Sequence, residues 1–171
     1  QNGIRGGSAT VHFPIWHQEI QDIIVLKNNK GTEDNRVRKL DYSIQLSALF
    51  YQRFIDNEQI TLFSPHDVPG LYDSFGTEDF DELYVKYEND ESIPKKTISA
   101  QELILDLLKE RAETGRIYIM NIDHCNSHSS FVDKVEMSNL CQEITLPTKP
   151  IQHIDDAVSY THLTLPTKCW G

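Results

Sequence analysis

The chain has 171 residues and carries 26 acidic against 16 basic side chains, a net charge of −10 with an isoelectric point near 5.0. That acidity excludes a broad basic surface for nucleic acid or for an anionic membrane. At 39% hydrophobic the chain is composed to bury a core, and no apolar run approaches the ~20 residues that span a bilayer.

Gln1 to Ser8 reads as a loop, because Gly3, Gly6 and Gly7 open backbone conformations closed to other residues. From Pro14 to Leu26 the apolar Ile15, Trp16, Ile20, Ile23 and Ile24 fall near a 3.6-residue period, so a helix starting at Pro14 is expected. Lys27 to Asp34 reads as a solvated polar turn. A second helix is expected from Asn35 to about Asp56, with Leu40, Ile44, Ala48, Tyr51 and Ile55 along one stripe. Ile60 to Phe63 is a short strand stopped by Ser64-Pro65. Glu78 to Tyr87 reads as helical. Ser99 with Glu102 forms a capping-box pattern, and the helix it opens runs through Leu103, Leu107 and Ala112 to a Gly115 stop. Arg116 to Asp123 reads as a strand, and Asn139 to Leu146 as another. Helices alternating with short strands predict an α/β chain with parallel pairing.

The segment Ser138-Asn139-Leu140-Cys141-Gln142-Glu143-Ile144 carries the chemistry. As a strand it places Asn139, Cys141 and Glu143 on one face, with Leu140 and Ile144 turned toward a core. On spacing alone a Cys is more often a small buried hydrophobe than a reactive group. Cys125, Cys141 and Cys169 are an odd set without scaffold spacing, which fits free thiols in a reducing compartment. Asp123, His124, Cys125 and His128 superficially suggest zinc. Adjacent strand residues point to opposite faces, however, and zinc needs converging ligands, so a structural role is expected and no metal ligand is assigned.

The same segment resembles the finger loop of the large catalytic subunit of class I (aerobic) ribonucleotide reductases. Other stretches match that family in order: Arg5-Gly6-Gly7 with His12 to His17, Leu26 to Gly31, Asn35 to Arg38 with Asp41-Tyr42, Leu62 to Leu71, Thr114 to Tyr118, and Asp123 to Asn126. The resemblance runs from Gln1 to about Asp156. It implies part of a ten-stranded α/β barrel over residues 1–156, with a specificity loop at 1–8 and a central finger loop at about 137–147. Cys141 matches the radical Cys, Glu143 the carboxylate that accepts the 3′-OH proton, and Asn139 the amide that orients the sugar. Ser138 and Leu140 would line the substrate, and Arg5 and Gln1 match residues that reach its base. The implied substrate is a ribonucleoside diphosphate, reduced to the 2′-deoxyribonucleoside diphosphate in the cytoplasm.

No cofactor is expected on these residues. The parent protein would take its radical from a small metal-containing subunit and its electrons from a thioredoxin- or glutaredoxin-like donor. It would respond to ATP and dNTP effectors, and it would work as a homodimer of large subunits, away from nucleic acid and membrane. The redox Cys pair and the radical-path tyrosines fall outside the matched residues, so this stretch alone is expected to be inactive and, as a partial barrel, marginal or prone to aggregate. Without an initiating Met it reads as an internal piece. Thr145 to Lys149 recurs as Thr164 to Lys168, and Ala157 to Gly171 resembles translated adaptor sequence. Two rival readings are a cobalamin-dependent reductase fragment and a non-catalytic interaction or metal-binding module.

Overall fold

The computed structural model describes residues 8–27 and 40–147. The expected loop at Gln1 to Gly7, the stretch 28–39 and the tail from 148 onward lie outside these described residues.

Strand β1 (Ala9–Pro14) opens the fold, followed by the one-turn helix α1 (Ile20–Ile24). The helix expected from Pro14 is therefore mostly absent. Pro14 ends a strand instead, at the edge of the described sheet where a missing N–H does no harm. Beyond it the backbone bonds to a neighbouring strand: Phe63 N–H donates to the Trp16 carbonyl and Gln18 N–H to the Phe63 carbonyl, both at 2.8 Å. These ladder bonds outcompete local helix propensity. The apolar set was still identified correctly, since Ile15, Trp16, Ile20, Ile23 and Ile24 are all buried.

The second expected helix divides into strand β2 (Leu40–Leu46) and helix α2 (Ala48–Ile55). Leu40, Ile44 and Ala48 are spaced by four, a step that suits a period of 2 as well as one of 3.6. The intervening Tyr42 and Leu46 decide for the strand. The stripe fails at its far end, where Ile55 is 70% exposed and Tyr51 is exposed. Lys27 is not solvated either; its ammonium pairs with the Asp41 carboxylate and its side chain is 3% exposed.

Strand β3 (Gln59–Phe63) forms as expected and pairs antiparallel with β4 (Lys95–Ser99). Between them lie the short α3 (Leu71–Ser74) and α4 (Phe80–Asn89). Helix α5 (Ala100–Thr114) follows both of its terminal signals. Ser99 Oγ accepts the Glu102 N–H, and Gly115 caps the end at φ +66°. Strand β5 (Ile117–Asn121) and helix α6 (Ile122–Ser127) complete the regular elements. The main sheet runs β1-β2-β5, parallel throughout, so the α/β fold with parallel pairing holds. Three parallel strands do not close a barrel, as expected of a partial one.

One sheet face is apolar. Tyr42, Ile44, Leu46 and Ile117 are buried there, in one core with Ile24, Leu103, Ile104 and Leu107 of the helices. A cluster of edge-on rings, with Phe50 and Tyr84 at its centre, joins β3 to α2 and α4. Gly76 fits this packing tightly, at φ +90° and with space for no Cβ: a methyl group would meet Ile122 Cγ1 at 2.8 Å and Asn126 Nδ2 at 2.9 Å. Gly76→Ala should cost about 2–4 kcal/mol from strain and overpacking together, read as a lower urea midpoint.

Candidate active site

The opposite face of the sheet is polar, and register explains its composition. His12, Ser43 and Tyr118 are partners across β1, β2 and β5, so their side chains stand in one row. Thr10 and Asp41 form the row beside it, and Pro14, Gln45 and Met120 the row beyond. Ser43 and Gln45 are buried despite their polarity. Buried polar groups need partners, and the segment from Lys134 to Ile144 supplies them.

That segment is fixed first at Val135. Its N–H donates to Asn126 Oδ1 at 2.8 Å, and Asn126 Nδ2 donates back to the Val135 carbonyl at 3.0 Å. Gln45 Nε2 then donates to the Glu136 carbonyl at 2.6 Å. Ser138 N–H donates to His12 Nε2 at 3.3 Å, and Thr10 Oγ1 donates to the Leu140 carbonyl at 2.6 Å. Burial pushes His12 below its ordinary pKa.

Residues 138–144 then close on themselves. Asn139 Oδ1 accepts the Ile144 N–H at 3.0 Å, and Ser138 Oγ lies 2.5 Å from the Ile144 carbonyl oxygen. Gln142 N–H donates to the Asn139 carbonyl at 3.1 Å, closing a turn with Cys141 at its tip. The expected strand over Asn139 to Leu146 is thus a compact loop. Its backbone hydrogen bonds run within the loop and to the polar sheet face, not to a neighbouring strand. Leu140 and Ile144 do not point into a core; both are exposed.

Cys141 is an exposed free thiol. Desolvation raises Tyr118 above the ordinary phenol pKa, and the charges of Cys141, Asp41 and Glu143 beside it add to that shift. Cys141 and Glu143 therefore share the neighbourhood of one hydroxyl. The Asn139 side-chain oxygen takes part in loop closure. Gln1 and Arg5 lie outside the described residues.

Cys125 is half-buried, and burial pushes its thiol up, away from the reactive thiolate. Asp123 accepts the N–H groups of Ala48 at 2.7 Å and His124 at 2.8 Å, capping two helices. His124 and His128 pack edge to face. Among the described residues no group of three or more His, Cys, Asp or Glu side chains could hold a metal ion. An open cleft of about 790 Å³ lies beside the loop, bordered by Met120, Asn121, His124, Cys125, Gln142 and Thr145.

Residues 1–158 match the ribonucleotide reductase barrel domain. The chain belongs to the ribonucleotide reductase barrel family. It is 59% identical over 161 residues to the ribonucleoside-diphosphate reductase subunit alpha of Haemophilus influenzae, covering 91% of this chain and 21% of the relative. It is 55% identical over 156 residues to ribonucleoside-diphosphate reductase 1 subunit alpha of Escherichia coli, covering 88% and 20%. The large subunit of Arabidopsis thaliana is 38% identical over 152 residues, covering 88% and 18%. The chain thus spans about a fifth of the length of these curated relatives.

Within this reductase barrel segment, the sequence reading centres on the loop with its Cys and Glu and passes over the side chains that hold it. Thr10, His12, Ser43, Gln45 and Tyr118 were not singled out. For Ser43 and Gln45 the available signal is the strict alternation Asp41, Ser43, Gln45 between apolar Tyr42, Ile44 and Leu46, the mark of a strand with one polar face.

Proposed function

We propose that this chain supplies the radical-bearing loop of a class I ribonucleoside-diphosphate reductase large subunit. The observation that supports it most is the exposed Cys141 thiol, held at the tip of a tethered loop on the polar face of a parallel sheet. Hydroxide leaves poorly from a ribose, so polar chemistry does not remove the 2′-OH easily. Taking the 3′ hydrogen atom changes that, and a sulfur radical is suited to the task.

In this reading the Cys141 sulfur abstracts the 3′ hydrogen and Glu143 accepts the 3′-OH proton as general base. The 2′ oxygen departs as water, and Cys141 returns a hydrogen atom to C3′. Asn139 orients the sugar through its side-chain amide, and Ser138 and Leu140 line the substrate with Arg5 and Gln1. Two thiols elsewhere in the parent become a disulfide and balance the reduction. The radical comes from a small metal-containing subunit, and a thioredoxin- or glutaredoxin-like protein restores the thiols. ATP and dNTP effectors would set the activity of a homodimer working in the cytoplasm.

The test uses the full-length parent protein with its small subunit, a ribonucleoside diphosphate and a dithiol. The expected product is the deoxyribonucleoside diphosphate, with one disulfide formed per nucleotide reduced. Reduction driven by adenosylcobalamin without a small subunit would favour the cobalamin-dependent rival instead. No product under either condition would sink both.

A further inference from the structure

Between Cys141 and Glu143 stands a residue to which the proposed chemistry gives no role. Gln142 adopts φ +62°, in the left-handed region that side chains other than Gly and Asn enter at a cost. Its side chain is committed at both ends. Oε1 accepts the Ser43 hydroxyl at 2.7 Å, and Nε2 donates to the Ile119 carbonyl at 2.7 Å. The carbonyl can only accept, so the orientation of the amide is determined by its partners. These partners sit on adjacent strands, β2 and β5.

The tethers of this loop divide into two sets. Gln45, His12 and Thr10 hold the limb that leads into Cys141, at Glu136, Ser138 and Leu140. Gln142 ties the chain down immediately after Cys141. Apolar packing does not do this work, because Leu140 and Ile144 on either side are exposed. We propose that Gln142 is a positioning residue: its side chain clamps the loop tip to β2 and β5 and so sets where Cys141 presents its sulfur. This rests on the reductase reading of Cys141 given above. Without the clamp the closed loop would be held to the sheet only through the limb before Cys141, and hydrogen transfer from a bound ribose depends on placement. A misplacement of about 1 Å can cost on the order of a hundredfold in rate.

Gln142→Gly in the full-length parent, assayed with its small subunit, separates the side chain from the backbone. Glycine adopts the same φ without strain and makes neither hydrogen bond. The expected result is a roughly 10- to 100-fold fall in kcat with KM for the nucleotide changed less than about twofold, the pattern of lost positioning, not lost ground-state binding. The Cys141 peptide, followed by mass spectrometry, should be alkylated severalfold faster by iodoacetamide, and the melting temperature should stay near wild type. Ser43→Ala should cause a smaller fall, and the double variant should be no worse than Gln142→Gly alone. Wild-type kcat and alkylation in Gln142→Gly would overturn the proposal, as would an activity loss that merely tracks a fall in melting temperature. Cys141→Ser serves as the control. An active Cys141→Ser enzyme would remove the reductase reading itself, whereas an inactive one beside a wild-type-like Gln142→Gly would remove only the clamp.

Discussion

Cys141→Ser in the full-length parent is expected to abolish nucleotide reduction, a fall of more than about a thousandfold, or over ~4 kcal/mol of barrier. Serine keeps the shape and the hydrogen-bonding capacity of the side chain. It does not provide an atom that holds a radical and exchanges hydrogen readily with a C–H bond. The effect on folding should be small, because the thiol is exposed at a loop tip and buries little apolar surface. Exposed substitutions of this kind usually stay within about 0.5 kcal/mol of wild type. Product formation and a thermal melt, measured on one preparation, check both halves. Turnover within tenfold of wild type would end the assignment of Cys141.

The loop that presents this thiol reads as a strand in the sequence and is a compact loop in the structure. Alternation along Ser138 to Ile144 suggested a strand, yet a strand needs a partner with free backbone groups. Here Asn139 and Ser138 supply hydrogen bonds from their own side chains, and short polar residues of this kind compete with regular structure. The sheet beneath was misread for a different reason. Leu40, Ile44 and Ala48 satisfy both periods, and helix was chosen over strand although Asp41, Ser43 and Gln45 alternate between them. Helix α5 was read correctly because its signals are local: the Ser99 cap, the apolar spacing and the Gly115 stop lie within one stretch of chain. Gln142 had no local signal at all. Its partner Ser43 is 99 residues away in sequence, and no pattern near Cys141 announces it.

Glu143→Gln tests the second half of the chemistry, and its expected effect is a fall of about 10²- to 10⁴-fold in kcat, the range for loss of a general base. The amide keeps the size of the carboxylate but cannot take the 3′-OH proton. KM should move little, because proton acceptance develops in the transition state, not on binding. Asp41 is the other carboxylate near Tyr118, and the structure distinguishes the two. Asp41 is paired with the Lys27 ammonium, whose side chain is 3% exposed, whereas Glu143 is exposed on the loop next to the thiol. Turning Asp41 toward a substrate hydroxyl would leave the buried Lys27 ammonium without its partner. Asp41→Asn should therefore show its main effect in stability, by leaving Lys27 without its partner. Glu143→Gln should instead lose kcat while its melt is unchanged. If the two variants exchanged these signatures, the base would have to be reassigned to Asp41 and the Lys27 pair read as part of the catalytic apparatus.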